Sequence, residues 1–199
     1  MRSFFKYYKW HMVFAVIAAV CVVFTIQKLS EKETADLRIG FASSTYMNTQ
    51  YFNDNKQEIE MLLFDATGDG KRSARIKARS GDDESKVSAD VIEFISSGEY
   101  DIIISSESAL RGVQDKSVFV DASTYKSQLI HESSMLKDAN GRAYAVSLED
   151  NSLMQRLGAT ETDKLYIAAL AIKNDKNSTF RKNGKNICGY IIENRDKYK

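Results

Sequence analysis

"DIIISS", Asp101 to Ser106, is a short unbroken apolar run closed by two serines. A strand covered on both faces has this pattern, because neither face needs polar side chains. Upstream of it, Val87, Val91, Ile92, Phe94 and Ile95 recur at helical spacing, and Gly98 follows as a natural helix stop. "GDDES", 81–85, supplies loop and helix-capping residues ahead of that helix. Further back, "SARIKARS" alternates: Ala74, Ile76 and Ala78 face one way, and Arg75, Lys77 and Arg79 the other. That is the pattern of a half-exposed strand near a sheet edge. Phe52, Ile59, Leu62 and Leu63 predict an amphipathic helix over residues 53–64, and "LRIGFA", 37–42, predicts a buried strand. The order β-α-β-α-β implies parallel strands joined by right-handed crossovers.

The second half carries weaker signals. Residues 117–123 suggest a short strand or extended piece, and 127–136 a helix. Asn140-Gly141 is a hairpin turn signal, followed by a strand at 143–148. A short helix ends at Gly158, and "LYIAALAI", 165–172, is a second strongly apolar strand. Residues 179–193 form a closing helix that Gly184 and Gly189 weaken. The expected fold class is α/β, a mainly parallel sheet with flanking helices.

The N-terminus has a separate character. "MVFAVIAAVCVVFTI", 12–26, contains one weakly polar residue, Thr25, and Trp10 and His11 extend it. That is the lower edge of a spanning helix, which needs about 17–25 residues. Tyr7, Tyr8 and Trp10 suit an interfacial aromatic belt. A cleaved signal peptide fits poorly, because the run ends Phe24-Thr25-Ile26-Gln27 without small residues at a cleavage site. A lipid-modified cysteine fits poorly too, since Val20 precedes Cys21 and more apolar residues follow. An uncleaved anchor fits best. Arg2, Lys6 and Lys9 precede the run, while Lys28 and Lys32 behind it are balanced by Glu31 and Glu33. The expected organisation is a basic cytoplasmic N-terminus (1–9), a transmembrane helix (10–27), a tether (28–36) and an extracytoplasmic α/β domain (37–199). The expected location is the cell membrane, crossed once.

Net charge is +1, so bulk charge gives no pull toward nucleic acid. The two cysteines, Cys21 and Cys188, lie far apart and form no disulfide framework, and no Cys/His cluster has zinc spacing.

"GEYDIIISSESALRGVQDKSVFVDAS", 98–123, resembles a passage of extracellular solute-binding proteins of the type II periplasmic-binding-protein fold. "NGRAYAVSLEDN" is similar to that family's hairpin, and "LYIAALAIKNDKN" to its later strand followed by a K-N-x-K-N-like stretch. The likeness covers about residues 36–192. The chain also resembles a looser group of short, uncharacterised membrane-anchored proteins of Gram-positive bacteria, in which a D-x-x-G-D-G-K turn recurs. A full solute-binding protein has two lobes and roughly twice this length. The resemblance therefore implies a single lobe, and supports the fold more than it supports transport.

In open parallel α/β sheets, ligands sit at the carboxyl ends of strands. Ser43, Ser44 and Thr45 follow the first strand, and Ser105, Ser106 and Glu107 follow the third. These six are the candidate ligand-binding residues for a small polar molecule, with helix capping as the plain alternative. "DATGDGKRS", 65–73, opens like an EF-hand loop, making Asp65, Thr67 and Asp69 candidate calcium ligands. The twelfth position, where such a loop needs a bidentate Glu, is Ile76, and five basic residues follow closely. A helix-stop and turn is the first reading, and calcium is the one cofactor to consider. His131 lacks a G-x-S-x-G partner motif and makes no catalytic set. The row Lys71, Arg72, Arg75, Lys77 and Arg79 reads as a solvated edge, with an anionic polymer or headgroup as alternative. Asn177-Ser178-Thr179 is a glycosylation sequon.

The expected function is a single-pass, membrane-anchored extracytoplasmic binding or protein-interaction domain, not an enzyme. Its partners would be the membrane, through the N-terminal helix, and a membrane protein complex or a small polar ligand. The alternatives are a solute receptor serving a transporter or sensor, a cell-envelope hydrolase, and a calcium-stabilised adhesion module.

Overall fold

The computed structural model describes residues 13–22, 35–125, 134–149, 151–160, 164–171 and 178–193. The chain divides into two compact units, Met1–Thr34 and Ala35–Lys199. In the first, residues 13–22 form helix α1, exposed along its length. Among the described residues no helix is long and apolar enough to cross a membrane. Both ends of the expected span, 10–12 and 23–27, lie outside the described residues.

The second unit is an α/β domain around a six-stranded sheet of order β2-β1-β3-β6-β5-β4. The strands are β1 (Leu37–Ser43), β2 (Ala74–Ser80), β3 (Ile102–Ser106), β4 (Met135–Lys137), β5 (Ala143–Ser147) and β6 (Leu165–Ala169). β1 pairs parallel with β2, from Leu37↔Ala74 to Ser43↔Ser80, and parallel with β3. These three strands form the β-α-β-α-β half in its expected order. β6 then runs antiparallel to β3, with Ser106 opposite Leu165, β5 runs antiparallel to β6, and β4 antiparallel to β5. The sheet is therefore mixed, not mainly parallel. The cause is physical: an apolar strand covered on both faces looks the same read in either direction, so "LYIAALAI" holds no mark of its polarity. Its ladder also ends at Ala169, three residues early.

Strand alternation divides the core between two faces. One face carries Leu37, Ile39, Phe41, Ile102, Ile104 and Ile167, packed against Phe52, Ile59, Leu153, Ile187 and Ile191. The other carries Ala42, Ile103, Tyr144 and Ala168, packed against Val87, Val91, Phe94 and Leu110. Burial of side chains such as Phe52 and Phe94 contributes about 2–3 kcal/mol each.

The helices show where local chemistry overrides periodicity. α4 (Glu84–Ser97) begins at Asp83, whose carboxylate accepts from Ser85 N, and ends at Gly98 with φ of 65°. The expected helix over 53–64 is instead two short ones, α2 (Thr49–Asn55) and α3 (Gln57–Glu60). Asn55 turns its side-chain amide onto the Tyr51 carbonyl at 2.8 Å, competing with the helical ladder at the break. α5 (Glu107–Gly112) and α6 (Ser152–Arg156) are single short pieces. α7 (Ser178–Glu193) keeps Gly184 because the helix passes close to the strand layer: a Cβ there would lie 3.2 Å from the Asp101 carbonyl oxygen.

Two more expectations change. Of residues 117–123 only the middle is the expected extended piece, bridging Leu170 through Phe119, while 3-10 turns at Lys116–Val118 and Ala122–Thr124 flank it. Asp115 and Asp121 accept the backbone N–H of Ser117 and Ser123, and so favour turns over a ladder. The helix expected over 127–136 falls mostly outside the described residues, but Met135 and Leu136 belong to β4. The β4–β5 hairpin turns at Asn140-Gly141 as expected, with Gly141 at φ 78°.

Candidate functional site: a cleft at the strand ends

Parallel strands point their carboxyl ends the same way, so the turns after β1 and β3 converge. A cavity of about 550 Å³ opens there, lined by Ser43, Ser44, Thr45, Glu84, Ser106, Glu107, Ser108, Arg111, Lys164 and Tyr166. Five of the six expected residues are brought together in it. The sixth, Ser105, points elsewhere: it is fully buried, and its hydroxyl donates to the Ala42 carbonyl at 2.5 Å, tying β3 to β1.

The other five lining residues arrive from three places. Glu84 opens α4, Ser108 and Arg111 lie on α5, and Lys164 and Tyr166 stand at the start of β6. β6 reaches the site because it runs antiparallel, which sets its first residues beside the last residues of β3. The position of Glu84 had one sequence signal: the helix after β2 must also begin at the carboxyl end of the sheet.

Hydroxyls and charges order the cleft. Glu84 accepts from Ser106 Oγ at 2.7 Å and from Ser108 Oγ. The Ser108 hydroxyl, then that of Ser106, hold the Glu84 carboxyl below the usual carboxylate range. Ser106 is also the N-cap of α5, its Oγ facing Ala109 N at 3.4 Å. Glu107 pairs with Arg111 Nε at 2.7 Å and accepts from the Tyr166 hydroxyl at 3.3 Å. Burial, and then the negative Glu107, push the Tyr166 phenol up. Ser43 Oγ accepts from Thr45 N at 3.2 Å, shaping the first turn. The arrangement offers hydroxyl donors and acceptors together with both signs of charge.

The calcium-like loop is built differently. Asp65 accepts from Gly68 N at 2.6 Å, Gly70 N at 2.9 Å and Thr67 Oγ1 at 3.3 Å, and Asp69 accepts from Lys71 N at 2.9 Å. Those backbone donors, Gly70 foremost, hold the Asp65 carboxyl low. Gly68 and Gly70, both at φ 77°, take the left-handed backbone that the turn requires. Buried Asp36 anchors the loop from below, accepting from Ala66 N at 2.6 Å, Thr67 N at 3.0 Å and Ser73 N at 2.9 Å. Among the described residues no group of three or more His, Cys, Asp or Glu side chains is placed to hold a metal ion.

His131 and the sequon at Asn177 lie outside the described residues. In the basic row, Arg79 is engaged by Glu93 at 2.5 and 2.6 Å and by Asp90 at 2.7 Å, and Arg72 donates to the Met61 carbonyl at 3.0 Å. A second cavity of about 490 Å³ lies by the hairpin turn, between residues 114–117 and 138–142. Lys116 on its wall is engaged elsewhere, its ammonium donating to the carbonyls of Leu110 and Arg111 at 2.8 Å each and to that of Val113.

Compared with known proteins, the chain matches no family model, and no curated protein and no solved structure is a significant match to it.

Proposed function

We propose that this protein is a single-pass, membrane-anchored extracytoplasmic binding domain, non-enzymatic, that recognises a small polar ligand in the cleft at the ends of β1 and β3. The observation that carries this reading is the cavity itself. It sits at the carboxyl ends of parallel strands and is lined by hydroxyls and by charges of both signs. Binding is favoured over catalysis by the state of Glu84. A carboxylate held low by two hydroxyls is a weak proton acceptor, and general bases work best with pKa values near the operating pH. The apolar run at 12–26 and its basic N-terminal flank support the anchor and the orientation. The likeness to one lobe of a solute-binding protein supports a receptor role beside a transporter or sensor.

A second reading, docking to a membrane protein complex, rests on Met61, Leu62 and Phe64, which are neighbouring exposed apolar residues. The test of the first reading is thermal unfolding of the full chain in detergent micelles against a panel of amino acids, sugars, polyols and small organic acids. A ligand that binds only the folded state raises Tm. A rise for at least one class, lost when Ser44 and Thr45 are replaced by Ala, is the expected result. No rise at saturating concentration contradicts ligand binding. A phosphatase reporter fused to the C-terminus tests topology, and activity is expected only if that end lies outside.

A further inference from the structure

Charge pairing inside the cleft narrows the ligand. Of its four charged side chains, Glu107 and Arg111 neutralise each other at 2.7 Å. Glu84 is held by neutral hydroxyls and has no cationic partner among the described residues. Lys164 likewise has no anionic partner there; it immediately precedes β6 and lines the cavity together with Tyr166. Among the described residues, one cavity therefore presents one carboxylate and one ammonium without an opposite charge beside it.

We infer that the cleft takes a small zwitterion, an amino acid or a short peptide, with its ammonium on Glu84 and its carboxylate on Lys164. This inference rests on the ligand-binding reading above. Glu84 suits an ammonium because Ser106 and Ser108 fix its position and leave it ionised, and acceptance by a carboxylate strengthens an N–H hydrogen bond. A ligand with one charge would desolvate the opposite protein charge without compensating it, which disfavours binding. A neutral sugar would desolvate both. The hydroxyls of Ser44 and Thr45 complete the donor set beside the two charges.

The test is calorimetric titration of the full chain in detergent micelles with each of the twenty protein amino acids and with dialanine. The tightest binder is then compared with its decarboxylated amine and its deaminated acid, and with glucose. At least one zwitterion should bind tenfold or more tightly than both analogues. Glu84→Gln and Lys164→Met should each weaken that zwitterion about tenfold or more. The amine analogue should be indifferent to Lys164→Met, and the acid analogue to Glu84→Gln. Unchanged Tm in both variants confirms that they fold. If glucose or a singly charged analogue binds as tightly as any zwitterion, the inference fails while ligand binding stands. If no probe gives heat, the inference fails, and the ligand-binding reading is then decided by the wider thermal panel of sugars, polyols and organic acids.

Discussion

The Ser106 hydroxyl donates to the Glu84 carboxylate at 2.7 Å, joining the end of β3 to the first turn of α4 across the mouth of the cleft. The same oxygen caps α5. Ser106→Ala therefore removes a helix cap and one of the two hydroxyls that hold Glu84. Loss of such a cap typically costs about 1 kcal/mol. Chemical denaturation should show that loss, and NMR titration of the Glu84 carboxyl should show its pKa moving up toward the ordinary value. An unmoved pKa would mean that Ser108 alone holds the carboxylate.

Asp36 is the anchor of the 65–73 turn. Asp36→Ala leaves three backbone donors and the Ser73 hydroxyl without their acceptor. Unsatisfied donors to a charged group cost about 1–3 kcal/mol each, so a loss of about 3 kcal/mol or more is expected in denaturant unfolding. Asp65→Ala, in the exposed part of the loop, should lose less than Asp36→Ala, because water can replace the acceptor there. Because Asp65 and Asp69 already accept backbone N–H groups, millimolar calcium should leave Tm unchanged. A rise abolished by Asp65→Asn would restore the calcium reading.

Asp101 gives the domain a pH-dependent stability. Its side chain is 1% exposed, Oδ1 has no hydrogen-bond partner among the described residues, and Oδ2 accepts from Arg38 N at 2.8 Å. Burial pushes the carboxyl up to about 6, with Arg38 opposing. The native state thus binds a proton that the unfolded state releases near pH 4. Its contribution is fully present below pH 4 and is lost as pH rises through 6. From 3.8 to about 6 the difference corresponds to about 3 kcal/mol. Denaturation at pH 4, 5, 6 and 7 should show this fall, and Asp101→Asn should flatten it.

Gly40 lies under Phe94. A Cβ at 40 would meet Phe94 Cδ2 at 2.8 Å, and Arg79 closes the far side with its guanidinium 5.1 Å from the Phe94 ring centre. Gly40→Ala should therefore cost about 1–3 kcal/mol by overpacking. The pair Gly40→Ala with Phe94→Leu should lose less than the two single changes summed. Strict additivity in the double-mutant cycle would contradict the contact.

Much of this architecture was legible in local pattern, and what escaped has identifiable causes. The β-α-β-α-β half could be read because Gly98, the alternation of 74–79 and the apolar run at 102–104 each act within a few residues. Ser43, Ser44, Thr45, Ser106 and Glu107 could be placed because strand polarity alone puts them at one end of the sheet. Ser105 was misplaced because one residue of strand phase separates a lining hydroxyl from one that crosslinks the sheet. Lys164 and Tyr166 were missed because their arrival depends on the direction of β6, and an apolar run is silent about direction. Asp36, which organises the calcium-like loop, lies 29 residues before Asp65 in sequence and carries no pattern of its own.

Hydrogen–deuterium exchange of the full chain in micelles, with and without saturating amino acids, sugars, polyols and organic acids in turn, decides whether the strand ends hold a ligand. Exchange should slow in the segments carrying Ser43–Thr45, Glu84, Ser106–Arg111 and Lys164–Tyr166, with the 65–73 turn and the 138–142 hairpin unchanged. Protection confined to other segments, or none in these four, would contradict a ligand site at the strand ends.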